Sequence, residues 1–192
     1  MTDEAFFNKI YEKHVKQLKN LDVPHKKLVI CFSGIAGSGK TYIAKILEDK
    51  YKGVRISNDE IREIIFEFGK VKDVDPPTYG YLNWLIKNYK FKNNLIILDS
   101  GIDRRYRERF SLFKEDGYQI FVIRLKVPES VYENRIIKKL GRLDQNYINR
   151  IDGWKKQYEE FGKNVKSNII IENEKDNELN LEELYSKLDS LI

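Results

Sequence analysis

The run Phe32-Ser33-Gly34-Ile35-Ala36-Gly37-Ser38-Gly39-Lys40-Thr41 meets every fixed position of the pattern G-x-x-x-x-G-K-[ST]. Glycines at that spacing let the backbone curl until successive N–H groups point at one anion, and a helix starting at the lysine adds its positive dipole end. The chemistry expected is the holding of a nucleoside triphosphate. Lys40 would reach the β- and γ-phosphates and Thr41 would put its hydroxyl on Mg²⁺. Gly34, Ile35, Ala36, Gly37, Ser38, Gly39, Lys40 and Thr41, with Tyr42 just behind them, are the candidate nucleotide-binding residues. A second constellation follows at Ser57-Asn58-Asp59-Glu60-Ile61-Arg62, where Asp59 and Arg62 stand three apart, on one face if the segment is helical. Such a pair can accept the proton of an incoming hydroxyl and grip an acceptor anion, or it can be an N-terminal acid in a surface ion pair. A third carboxylate, Asp99, ends the apolar run Leu95-Ile96-Ile97-Leu98. There it is placed to hold Mg²⁺ with Thr41, or else to cap a turn; Asp103 is the weaker candidate, falling where the next helix begins.

These groups need elements to position them. Leu28-Val29-Ile30-Cys31-Phe32 is an unbroken apolar run of the kind a strand covered on both faces shows, and Tyr42, Ile43, Ile46, Leu47 and Tyr51 then recur at helical spacing. Further strands are expected at 53–57, 95–99, 118–125 and 168–171, alternating with helices. The helix after the second strand takes Asn58 and Asp59 as its capping residues and runs to Phe68. Residues 69–79, with Lys70, Lys72, Pro76 and Pro77, read as a loop, and the next helix carries Tyr81, Leu82, Leu85, Ile86 and Tyr89. Asp73-Val74-Asp75 is no phosphatase nucleophile loop, because no buried strand precedes it. Further on, Gly141-Arg142-Leu143-Asp144 separates two helices. Residues 4–21 form an amphipathic helix ahead of the core, ended by Pro24. The alternation implies a parallel sheet of five strands with helices on both faces, and the length favours a single domain across residues 1–192.

Composition narrows the function classes. A single cysteine excludes an intramolecular disulfide, two isolated histidines have no metal-ligand spacing, and Cys31 inside a strand reads as a buried hydrophobe rather than a nucleophile. No secretory leader and no run long enough to span a bilayer are seen, so a soluble cytoplasmic protein with no membrane partner is expected. The net charge of +5 fits an acidic partner or merely a solvated lysine-rich surface.

The loop Gly34–Thr41, the Asp59-x-x-Arg62 pair, the strand ending at Asp99 with Arg104, Arg105, Arg107 and Arg109 behind it, and Val127-Pro128 leading to Arg135 and Lys139 occur in the order of a known family. Over residues 28–173 the chain resembles the P-loop kinase superfamily, and most closely its 5′-hydroxyl polynucleotide kinase branch. The resemblance implies a three-layer P-loop NTPase fold with sheet order 2-3-1-4-5, residues 1–26 as an N-terminal helical extension and a helical lid over about 128–147. It implies ATP and Mg²⁺ as cofactors, Asp59 as general base, Arg62 on a phosphate of the acceptor and Arg135 as a lid arginine on the transferring phosphoryl. Lys139 stands where the family usually has a second lid arginine, and a point charge cannot make the same fork, so Arg142 is the candidate to complete the lid. Asn173 and Glu174 are candidates to border the adenine.

The chain therefore reads as a kinase acting on the 5′-OH of a polynucleotide or nucleotide. Alternatives are a kinase of a small hydroxyl compound (nucleoside, sugar acid, adenylylsulfate or antibiotic) and a nucleotide-binding switch without an acceptor. The aromatics Tyr79, Tyr81, Trp84, Tyr89 and Phe91 either stack bases or pack the core, and Arg104, Arg105, Arg107 and Arg109 form either a basic patch or a solvated helix face. The oligomeric state is left open.

Overall fold

The computed structural model describes residues 3–18, 26–69, 73–89, 91, 94–142, 144–174 and 179–192. Leu21, Pro24, Lys70, Lys72 and Leu143 lie outside the described residues. In chain order the elements are α1 (Asp3–His14), β1 (Leu28–Ser33), α2 (Lys40–Tyr51), β2 (Val54–Ser57), α3 (Asn58–Glu67), α4 (Asp75–Asn88), β3 (Leu95–Gly101), α5 (Tyr106–Glu115), β4 (Gln119–Lys126), α6 (Glu129–Leu140), α7 (Gln145–Asn164), β5 (Ile169–Glu172) and α8 (Glu182–Asp189).

The strands form one sheet in the order β2-β3-β1-β4-β5, every pair parallel. Within the apolar runs, alternate residues serve opposite faces. Val29, Cys31, Ile96 and Leu98 pack with Ile61, Ile65, Tyr81, Leu85 and Phe113 from α3, α4 and α5. Leu28, Ile30, Phe32, Leu95 and Ile97 pack with Ile43, Leu47, Leu184 and Leu188 from α2 and α8. Burial on both faces is what removes polar alternation from these strands, and each fully covered aliphatic or aromatic side chain contributes about 1.5–3 kcal/mol.

Three local expectations are corrected. The first helix ends at His14 and closes in a tight turn, with Gln17 N–H donating to the His14 carbonyl at 2.9 Å; Leu18 still reaches the core. The cap of α3 is Ser57 rather than Asn58 or Asp59: β2 runs into the helix with no loop between, so the strand's last hydroxyl accepts the Glu60 N–H. Helix α4 begins at Asp75, inside the expected loop, because Pro76 and Pro77 occupy a first turn whose N–H groups have no helical partner anyway.

The β1–β3 ladder jumps from Cys31↔Leu98 to Phe32↔Gly101, leaving Asp99 and Ser100 out of it. Irregularities of this kind re-aim side chains at strand ends. Here the jump turns Asp99 toward the loop after β1. A third cluster, Tyr132, Ile136 and Ile151 from α6 and α7, packs against Ile35 and Ala36 and so ties the tip of that loop to the last helices before β5.

Candidate active site

Gly37 and Gly39 give the phosphate loop its curl. Their φ values of 78° and 96° are left-handed, and a Cβ at Gly37 would meet the Tyr132 carbonyl oxygen at 2.9 Å. The Lys40 ammonium donates to the carbonyls of Gly34 at 2.8 Å and Ile35 at 2.7 Å. Burial pushes its pKa down to about 8, against the pull of Asp103 and Asp99. Thr41 Oγ1 donates to Asp99 Oδ1 at 2.9 Å, which brings together the two oxygens expected to hold Mg²⁺. Burial pushes the Asp99 carboxyl above its usual range, while the bond from Thr41 and the charge of Arg55 oppose it. Asp103 does different work: it accepts from Ser33 Oγ at 2.6 Å and from Gly34 N–H at 3.1 Å, bracing the start of the loop.

Asn173, just beyond β5, donates to the Ser38 carbonyl at 2.9 Å and accepts from Arg135 Nη2 at 3.0 Å, while Arg135 Nη1 donates to the Gly37 carbonyl at 3.2 Å. Both expected residues thus sit on the rim of the phosphate loop. Tyr42 is half exposed and lies between this rim and a smaller cleft of about 340 Å³ bounded by Ile46, Leu179, Leu181 and Tyr185.

A larger groove of about 820 Å³ runs from Gly34–Thr41 past Asp59 to Tyr79 and Trp154. Asp59, in the first turn of α3, is well exposed and accepts from Arg62 Nη1 at 2.7 Å, with Lys139 Nζ at 3.9 Å. Arg62 Nε donates to Asp75 Oδ1 at 2.9 Å, so the guanidinium bridges two carboxylates. Lys139 lines the groove and Arg142 lies exposed outside its lining; Arg150 from α7 lines it, 3.8 Å from Asp75.

With this geometry in view, sequence comparison assigns the family. The pattern of the AAA domain family matches residues 29–160, more than half of the chain. The chain belongs to the AAA domain family. A comparison with curated proteins gave no match. Among solved structures, this AAA-domain protein is similar to one from the PezAT chromosomal toxin–antitoxin system of Streptococcus pneumoniae, with TM-score 0.61 and 17% identity over 100% of this chain and 88% of that one. It is also similar to the APS kinase CysC of Mycobacterium tuberculosis in complex with AMPPNP and APS, with TM-score 0.55 and 14% identity over 88% and 98%. A gluconokinase of Sinorhizobium meliloti follows with TM-score 0.51 and 15% identity over 78% and 84%. At these identities the likeness is one of fold alone, the P-loop NTPase fold.

The AAA-domain site also contains residues that sequence reading passed over. Arg55 projects from β2 to donate to Asp99 Oδ2 at 2.8 Å and to Glu48 Oε2 at 3.1 Å, and it pairs with Glu60 as well. A lone arginine in an otherwise apolar strand was the available signal. Of the aromatic group, Tyr81, Trp84, Tyr89 and Phe91 pack in the core with Phe7 and Tyr11 of α1, whereas Tyr79 faces the groove. Arg104, Arg105 and Arg109 also line it, while Arg107 lies exposed near Glu160. Among the described residues no group of three His, Cys, Asp or Glu could hold a metal by itself, and no helix is long and apolar enough to cross a membrane.

Proposed function

We propose that this chain is an ATP-dependent kinase that moves the γ-phosphoryl to a hydroxyl of a small acceptor, with Asp59 as the general base. One observation carries the reading: the phosphate loop and the space beyond Asp59 share a single groove, with the carboxylate between them. The hydroxyl oxygen forms a bond to the γ-phosphorus as its proton passes to Asp59, and the bond from that phosphorus to the β–γ bridging oxygen breaks, leaving ADP. Lys40 and the lid residues Arg135 and Lys139 carry the charge that the transferring group develops. Thr41 and Asp99 supply oxygen ligands of the type Mg²⁺ takes, and the metal when bound neutralises charge on the β- and γ-phosphates. Arg62, held by two carboxylates, orients Asp59. Tyr42 and Asn173 border the base.

The far end of the groove favours a small acceptor over a chain. Asn83 of α4 donates to Glu108 of α5 at 2.6 Å, and Tyr106 and Phe110 of α5 pack edge-on to Phe161 of α7, so three of the elements that line the groove are held to one another. A second reading, the 5′ end of a polynucleotide, draws support from the basic lining at Arg104, Arg105 and Arg150. The test is transfer of label from γ-labelled ATP to 5′-OH oligonucleotides, nucleosides, nucleotides and sugar acids, with Asp59→Asn alongside. We expect transfer to fall about 10²- to 10⁴-fold in the variant while ATP still binds. Turnover like that of the unmodified chain would remove Asp59 from the mechanism.

A further inference from the structure

Arg109 of α5 is 1% exposed, yet among the described residues no carboxylate lies within ion-pair distance of it. Nη1 donates to Ser100 Oγ at 3.2 Å, and the Arg109 Nε and Nη2 have no hydrogen-bond partner among the described residues. Glu108, the nearest acid along the helix, is taken by Asn83 and Arg105. Burial pushes the guanidinium down to about 10, which still leaves it charged at neutral pH. An arginine that served packing alone would have its N–H groups paired, because a buried unpaired charge costs several kcal/mol. This one lines the groove, next to Ser100 at the end of β3.

The surroundings repeat the same chemistry. Arg105 and Arg109 both lie over the Tyr79 ring, at 4.8 and 5.6 Å, and Arg104 donates to the Tyr79 hydroxyl at 3.2 Å. Arg104 and Arg150 lie over the Trp154 ring at 4.9 and 5.6 Å. The stacking fixes the guanidinium planes while leaving their edges to meet a ligand. Gln157 Oε1, a buried acceptor in the same groove lining, is likewise without a hydrogen-bond partner among the described residues.

We infer that the stretch of groove lined by Arg109 and Arg104 is an anion subsite, and that the acceptor carries, besides its reacting hydroxyl, a phosphate or carboxylate seated on these two arginines. This rests on the kinase reading above and gives the acceptor a chemical class: a hydroxylated anion, of which a 3′-nucleotide and a sugar acid are examples. Arg109 holds the donors and Gln157 accepts from a hydroxyl or N–H of the same molecule. The subsite binds and orients; it takes no part in the bond changes at phosphorus.

The test has a binding arm and a turnover arm. For binding, the Trp84→Phe protein leaves Trp154 as the reporter; with AMPPNP and Mg²⁺ filling the phosphate loop, it is titrated with inorganic phosphate and with acetate at constant ionic strength. We expect saturable quenching by one or both anions, phosphate alone marking a phosphate-bearing acceptor and acetate a carboxylate. Arg109→Gln should weaken it roughly ten- to a hundredfold, the usual scale for a charge-assisted bond, with Arg109→Lys between. Arg104→Gln, a substitution at the exposed rim, covers the case in which Arg109→Gln does not fold and should weaken the anion severalfold. No saturable effect in the parent protein, or unaltered affinity in folded variants, overturns the subsite. For turnover, paired acceptors differing by one anionic group (3′-CMP and cytidine, gluconate and glucose) should favour the anion, and Arg109→Gln should raise KM for the anionic member alone. A subsite that binds phosphate in a protein that labels no acceptor would overturn the kinase reading and leave the anion site standing; equal use of both members of a pair would do the reverse.

Discussion

Arg55 is the side chain on which the Asp99 carboxylate, proposed as a metal ligand, depends. It is nearly buried, as is Asp99, and it meets Asp99, Glu48 and Glu60 at once. Without it, Asp99 would be a buried carboxylate held only by the Thr41 hydroxyl, with two further acids beside it. Removing one partner of a buried ionic cluster is costly because the others are left uncompensated, so Arg55→Met should lower stability by about 3–5 kcal/mol in urea unfolding. It should also weaken the Mg²⁺ dependence of nucleotide binding, since Asp99 loses the group that fixes its orientation. A loss below about 1 kcal/mol would show that the cluster is not holding the strand end. This residue also marks the limit of what the sequence discloses. Lys40, Thr41, Asp59 and Asp99 were legible because their meaning is local: fixed spacing in the first pair, a strand end or helix start in the others. Arg55, Arg109 and Arg150 acquire their roles from neighbours 44, 9 and 75 positions away, Asp99, Ser100 and Asp75, and the apolar flanks of Arg55 hint at burial without naming its partners.

Between elements, the joint of α1 with α4 shows the same division. The periodicity of α1 announced a buried face, but not that the face would meet α4 through Phe7, Tyr11 and His14. Tyr79 and Tyr81 have the same composition and neighbouring positions, yet one lines the groove and the other is core, because the early start of α4 at Asp75 sets the helix phase. His14 is fully covered, shares a 3.0 Å hydrogen bond between its Nδ1 and the Tyr81 hydroxyl, and among the described residues leaves Nε2 without a hydrogen-bond partner. Burial pushes its pKa from 6.5 down to about 4, Glu60 opposing and Arg55 assisting. The folded state therefore resists a proton that the unfolded chain takes up readily. Stability from this group is complete above the unfolded pKa and declines as pH falls from 6.5 toward 4. Between roughly pH 7 and pH 5 the loss is about 2 kcal/mol. Urea unfolding at both pH values should show it, and His14→Gln should flatten the difference; an equally steep pH slope in the variant would place the titration elsewhere.

Over the whole molecule, the order β2-β3-β1-β4-β5 sets the C-terminal ends of β2, β3 and β1 side by side, which is why Asp59, Asp99 and the phosphate loop share one edge. That much followed from alternating strands and helices in a parallel sheet. What did not follow was the shape of the far wall, because it is made by α4, α5 and α7 meeting each other rather than by any one segment. The wall decides between a polymer and a small acceptor, and the net charge of +5 supplies the means of asking. A single strand lying along a basic groove releases a counterion for each phosphate neutralised, so log(kcat/KM) should fall with log[salt] at about 0.7 per contacted phosphate. A small acceptor with one further anion should give a slope no steeper than about one. Lengthening an oligonucleotide acceptor from one to about six nucleotides should then bring less than about a threefold gain in kcat/KM, because the added phosphates lie outside the groove. A gain above about tenfold with a slope near three would mean that the strand continues over the basic rim at Arg104, Arg105 and Arg150, and the acceptor would be a polynucleotide end.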